Sequence, residues 1–201
     1  MHLMRPSPRW RRAAFAAAGA LSAACGGERR AAPGTPGGAT ASAADTAAFR
    51  PLAVGDLAPA YAVARLTAAG APADTVRVGV PGQPVTLVNV WATWCTSCRE
   101  EMGDLEALHR EFGPRGLRVV GVSVDAGAEA RVRRFAERER LTFAVAHDPE
   151  ARVQDAFRVV GVPETYLVDR DGRVRWARAG NVHGALGEAR SAITAALGAG
   201  G

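Results

Sequence analysis

Two cysteines three residues apart, Cys95 and Cys98, sit in the run Trp91-Ala92-Thr93-Trp94-Cys95-Thr96-Ser97-Cys98. A β-rich run over residues 85–91 precedes them. After them Met102, Leu105, Leu108 and Phe112 recur at three- and four-residue spacing, which marks an amphipathic helix ending at Gly113-Pro114. The pair therefore lies where a strand hands over to a helix. Unpaired backbone N–H groups and the helix dipole stabilise a thiolate there, and one-turn spacing brings Cys98 within the Cα separation that a disulfide requires. This pattern supports a dithiol–disulfide couple, with Cys95 as the exposed attacking thiol and Cys98 as the resolving thiol. A structural zinc site needs four ligands, and Cys25, His109, His147 and His183 are scattered with no second pair. A purely structural disulfide across so short a loop would stabilise little.

The elements that must hold this pair alternate. Residues 118–125 read as a strand, 129–140 as an Arg/Glu-rich helix with one buried edge, 142–146 as a further strand and 150–157 as a short helix. Residues 165–169 and 173–179 form a β-hairpin about the turn Arg170-Asp171-Gly172, and a last Ala-rich helix spans about 186–197. Ahead of the cysteines, residues 61–66 and 75–79 read as an added hairpin around Gly70. The order β-α-β-α then β-β-α, with extra elements, is that of an α/β sandwich.

The chain has 201 residues, 48% of them hydrophobic and 22% charged, and no apolar run approaches the ~20 residues of a membrane span. Its net charge is +5, but Arg5, Arg9, Arg11 and Arg12 supply four of those charges, so no nucleic-acid partner is expected. Residues 1–25 read as an export signal: basic, then Ala-rich and uncharged, then small residues before Cys25. Leu21-Ser22-Ala23-Ala24-Cys25 resembles a bacterial lipoprotein signal, although Ser22 stands where leucine is usual. That resemblance implies lipidation of Cys25, which would also remove the odd thiol of a three-cysteine chain. Residues 26–48, almost entirely Gly, Ala, Pro, Thr and Ser, read as a flexible tether, and 49–198 as a single folded domain.

Three separated motifs resemble the thioredoxin superfamily, in its membrane-tethered branch of TlpA- and ResA-like thiol–disulfide oxidoreductases. They are WATWCTSC with Arg99-Glu100-Glu101-Met102, residues 119–125, and Gly161-Val162-Pro163-Glu164-Thr165-Tyr166-Leu167-Val168-Asp169. Val54-Gly55-Asp56-Leu57-Ala58-Pro59 resembles the opening of these domains. The resemblance implies a thioredoxin fold, a central mixed β-sheet flanked by helices, with an N-terminal hairpin and a central insertion. It assigns Pro163 the cis-proline role, which would set the Val162 backbone edge beside the disulfide to hold an extended substrate peptide, with Trp94 adjoining. Thioredoxins carry an acid six residues before the first cysteine. Here Asn89 stands there and cannot titrate, leaving Glu101 and Glu164 as candidate proton acceptors for Cys98. A carboxylate near the pair disfavours thiolate and tilts the reading toward a reductant. Ser97 and Gly103 replace prolines common in the branch, which leaves the redox potential open.

The resemblance also implies an extracytoplasmic location, disulfide-bearing envelope proteins as substrates (apocytochrome c or copper-site proteins) and a transmembrane thiol-reducing electron donor. It implies no cofactor beyond the Cys95–Cys98 disulfide, and no metal. Two rivals share the fold. A thiol peroxidase would carry P-x-x-x-T-x-x-C, yet Ala92 stands three places before Cys95; a copper-delivery module would carry C-x-x-x-C with a distant histidine, for which His183 is the candidate.

Overall fold

The computed structural model describes residues 50–66, 74–127 and 129–199. The expected export signal, Cys25, the tether, Phe49 and Gly70 lie outside the described residues.

The elements run β1 (Tyr61–Arg65), β2 (Asp74–Val78), β3 (Thr86–Trp91), α1 (Thr96–Phe112), β4 (Arg118–Ser123), α2 (Glu129–Arg138), β5 (Ala144–His147), α3 (Arg152–Phe157), β6 (Glu164–Val168), β7 (Val174–Ala179) and α4 (Leu186–Gly198). A 3-10 turn, Gly113–Arg115, ends α1, and another, His183–Ala185, leads into α4. The strands form one seven-stranded sheet in the order β2-β1-β5-β4-β3-β6-β7. Strands β3, β4 and β5 are parallel, while β6 and β7 return antiparallel on one side and β1 and β2 on the other. This is the expected central mixed sheet of the thioredoxin fold. The early hairpin is part of it, joined to β5 by the Arg65–Ala146 pair and by Leu66 N–H donating to the Val145 carbonyl at 2.8 Å.

Every side chain of β3 is buried, as a central strand covered on both faces requires. The apolar stripe of α1 packs Cys98, Met102, Leu105, Leu108 and Phe112 into the core, and its last turn stops at Gly113-Pro114. Helix α2 buries only Val132 and Phe135, with Phe135 tilted against Trp91 at 5.1 Å between ring centroids. Between these rings and Phe143, Gly121 leaves no room for a side chain: a Cβ there would lie 3.0 Å from Phe143 and from the Trp91 indole nitrogen.

Four boundaries lie two residues from those read in the sequence, each for a local reason, and several others differ by one. Strand β5 starts at Ala144 because Thr142 is tied to α1, its N–H and hydroxyl both donating to Glu106 at 2.8 and 2.5 Å. Strand β4 stops at Ser123 because Asp125 turns out of the ladder to bind Thr93. Helix α2 stops at Arg138, before Arg140 takes a left-handed φ of 53°. Helix α3 starts only at Arg152, because Ala151 has a left-handed φ of 55°.

Candidate active site

Cys95 is the N-cap of α1. Its sulfur accepts the Cys98 N–H at 3.1 Å, satisfying one of the orphan donors of the first turn, and it is bonded to Cys98 Sγ across a Cα separation of 5.3 Å. Both cysteines are more buried than the sequence suggested: Cys95 keeps 7% of its surface and Cys98 none. The difference between them still has the expected sense, since only Cys95 keeps any exposed surface. The Ser97 hydroxyl lies 3.5 Å from Cys95 Sγ and the Val162 carbonyl 3.6 Å from it. In the disulfide the sulfur has no proton, so only Ser97 can donate here; a reduced Cys95 thiol could donate to Val162. The Val162–Pro163 peptide is cis. Trp94, next to Cys95 in the chain, is 65% exposed, and Val160, two residues before Val162, is 62% exposed.

The two candidate acids lie on opposite faces of the sheet. Asn89 of β3 pairs with Thr165 of β6, and Glu101 of α1 meets them on that face. Glu101 Oε1 accepts from Asn89 Nδ2 at 2.8 Å and Oε2 from the Val182 N–H at 2.8 Å, while Asn89 Nδ2 also donates to Thr165 Oγ1 at 3.0 Å. The Glu101 side chain is fully buried one turn after Cys98. Burial, helped by the nearby Asp104 charge, pushes its carboxyl up to about 7 against the pull of the two donated hydrogen bonds. Since the Val182 N–H cannot turn away, a proton on Glu101 belongs on Oε1. Asn89 Oδ1 is buried without a partner, so a half-turn of that amide offers it as the acceptor. Asn89 cannot titrate, yet it can serve both protonation states of the acid that does.

Glu164 instead shares its face with Tyr166, as alternation along β6 requires. It accepts from the Tyr166 hydroxyl and from the Val160 N–H, the latter at 3.2 Å, so it fixes the segment leading to Pro163. Burial and the Glu164 carboxylate hold the Tyr166 phenol well above its ordinary range.

A third buried acid, unassigned from the sequence, braces the loop before the cysteines. Asp125 accepts from the Thr93 N–H at 2.8 Å, the Thr93 hydroxyl at 2.5 Å and the Ser123 hydroxyl at 2.8 Å. Its carbonyl in turn accepts from His147 Nε2 at 2.7 Å. Its place at the end of the motif 119–125 was the available signal. His183 faces Asp104 at 2.9 Å. Among the described residues no group of three His, Cys, Asp or Glu side chains is gathered to hold a metal ion, and no helix is long and apolar enough to cross a membrane.

Residues 54–177 match the AhpC/TSA family. The chain is 33% identical over 121 residues to a thiol-disulfide oxidoreductase ResA of Oceanobacillus iheyensis, covering 60% of this chain and 62% of that protein. It is 36% identical over 98 residues to the thiol:disulfide interchange protein DsbE of Allochromatium vinosum, covering 49% and 52%. The matches thus span between about half and three fifths of these relatives' length. Among solved structures, a Chlorobium tepidum protein provisionally named thiol:disulfide interchange protein DsbE superposes with a TM-score of 0.64 at 27% identity, over 73% of this chain and 99% of that one.

Proposed function

The chain belongs to the AhpC/TSA family, and from that premise we propose that it is a thiol–disulfide oxidoreductase that reduces disulfides of other proteins through Cys95 and Cys98. The observation that carries this reading is the disulfide capping α1, with Cys95 the less buried of its two cysteines and a buried carboxyl one turn behind it. In the reduced protein, Cys95 thiolate attacks one sulfur of a substrate disulfide. The substrate S–S bond breaks, a mixed disulfide forms, and the departing substrate thiolate takes a proton from water. Cys98 then gives its proton to Glu101 carboxylate and attacks Cys95 Sγ. The Cys95–Cys98 bond re-forms, and the second substrate thiolate leaves and is protonated. Two electrons have passed to the substrate, and an external dithiol must return them before the next cycle.

Trp94 and the Val162 main chain, beside Pro163, offer a surface on which an extended substrate segment would lie. The export-signal reading of residues 1–25, with lipidation at Cys25, supports action in the cell envelope, tethered to the membrane. Apocytochrome c or a copper-site protein awaiting metal are substrates of the right chemistry, and a transmembrane thiol-reducing protein is the matching electron donor.

The test is insulin reduction by the full chain together with the Cys95–Cys98 reduction potential, read from Trp94 fluorescence in thiol/disulfide buffers. Activity abolished by Cys95→Ser and a potential near or below about −220 mV are expected of a reductant. A potential up toward about −120 mV would make the protein a disulfide donor. Peroxide turnover without disulfide reduction would overturn the assignment.

A further inference from the structure

Three consecutive residues between β7 and α4 are each tied to α1. Asn181 Nδ2 donates to the Ser97 carbonyl at 2.9 Å, the Val182 N–H to Glu101 Oε2 at 2.8 Å, and His183 Nδ1 lies 2.9 Å from Asp104 Oδ2. Ser97, Glu101 and Asp104 follow one another at i, i+4 and i+7, so they form one stripe along the helix, and residues 181–183 lie along it. The segment is also braced internally, with Asn181 Oδ1 accepting from the His183 N–H at 2.7 Å. Its two ends meet different surroundings. Glu101 and Val182 are buried, whereas the His183 side chain is 78% exposed and that of Asp104 21%.

We propose that residues 181–183 are a clasp through which His183 acts as a positioning residue for Glu101. An imidazolium at 183 offsets the Asp104 charge and favours the ionised, proton-accepting Glu101. A neutral imidazole leaves that charge unopposed, and the proton stays on Glu101. The inference rests on the exchange reading of Cys95–Cys98, since Glu101 enters the reaction only as acceptor of the Cys98 proton.

The surroundings favour this coupling. Glu101 is faced by Asn89 from β3, with Thr165 of β6 behind that amide, by the Val182 N–H from the clasp, and by Asp104 from its own helix. Of these only Asp104 carries a charge, and that charge strengthens Glu101's hold on its proton. His183 is faced by Asp104 and lines an open cavity of about 560 Å³ with Ser97 and Glu100 of α1, Arg178 of β7 and Asn181. The imidazole is thus the side chain of the clasp that faces bulk solvent.

The experiment follows the Glu101 carboxyl by ¹³C NMR in the oxidised full chain, its signal assigned by loss in Glu101→Gln. Asp104→Asn should lower the Glu101 midpoint by about half a pH unit, as expected for a charge one helical turn away near the surface. His183→Gln, at an exposed side chain, should raise it. The double variant should titrate with Asp104→Asn alone, because His183 then has no charge to offset. An unchanged or lowered midpoint in His183→Gln, or a His183 effect that persists without Asp104, overturns the clasp. Insulin reduction by the wild-type chain is read separately. Midpoints that shift as expected in a chain without reductase activity would leave the coupling standing and remove the exchange reading; activity with unmoved midpoints would do the reverse.

Discussion

At the scale of single residues, the protein turns on where one carboxyl keeps its proton. Glu101 ionises near 4.5 in an unfolded chain and near 7 in the fold, so between those values the folded state holds a proton that the unfolded state has released. Its contribution to stability is therefore fully present below about 4.5 and is lost as pH rises through about 7. Glu101→Gln holds no such proton. Its urea stability should stay level across that window while the wild type loses up to roughly 3 kcal/mol, a slope readable from midpoints of the oxidised proteins at several pH values. The amide can still accept from the Val182 N–H and donate to a turned Asn89, so the variant should fold. It should nonetheless resolve the mixed disulfide about 10²-fold more slowly, as measured by quenched-flow trapping, because Cys98 has lost its proton acceptor.

At the scale of elements, the cysteine pair depends on a strand and a loop as much as on its helix. β3 delivers the chain to α1 through Ala92, Thr93 and Trp94, and Asp125, just past the end of β4, holds Thr93 by both its N–H and its hydroxyl. Removing that carboxylate leaves three donors without their acceptor, the part-buried Thr93 N–H and hydroxyl and the buried Ser123 hydroxyl. Asp125→Ala should cost about 2–3 kcal/mol in urea unfolding. It should also slow Cys95 attack on insulin, because the loop that aims the N-cap sulfur is no longer pinned. Unchanged stability and rate together would show that Thr93 is held by other means.

At the scale of the molecule, the seven-stranded sheet joins parts with separable duties. The edge hairpin β1–β2 reaches the core through Tyr61, whose hydroxyl donates to buried Asp148 at 2.8 Å, while Asp148 also accepts the Val153 N–H at 2.7 Å. Burial and the Asp148 carboxylate hold the Tyr61 phenol far above its ordinary range, so this bond is insensitive to pH in the physiological span. Tyr61→Phe should cost about 1 kcal/mol of stability and leave the Cys95–Cys98 potential unmoved. A shifted potential would mean that the hairpin communicates with the disulfide.

Much of this was legible in the sequence because it is local. Cysteine spacing, the handover from strand to helix and the three- and four-residue apolar period of α1 are fixed by neighbours within a dozen positions. Even Glu101 falls on the buried stripe, three residues after Cys98 and four before Leu105. What its burial means was not legible. A carboxyl can be buried only where donors meet it, and its partners come from Asn89, 12 residues before it, and Val182, 81 residues after. Glu164 shows the same limit, since strand alternation turns it to the other face and Tyr166 claims it there. The sequence by itself determined the fold class and the reactive pair, because these follow from short-range pattern. Only the tertiary structure decided which acid lies buried one turn behind the pair and what holds its proton, because desolvation and charge act through space, between segments the chain keeps far apart.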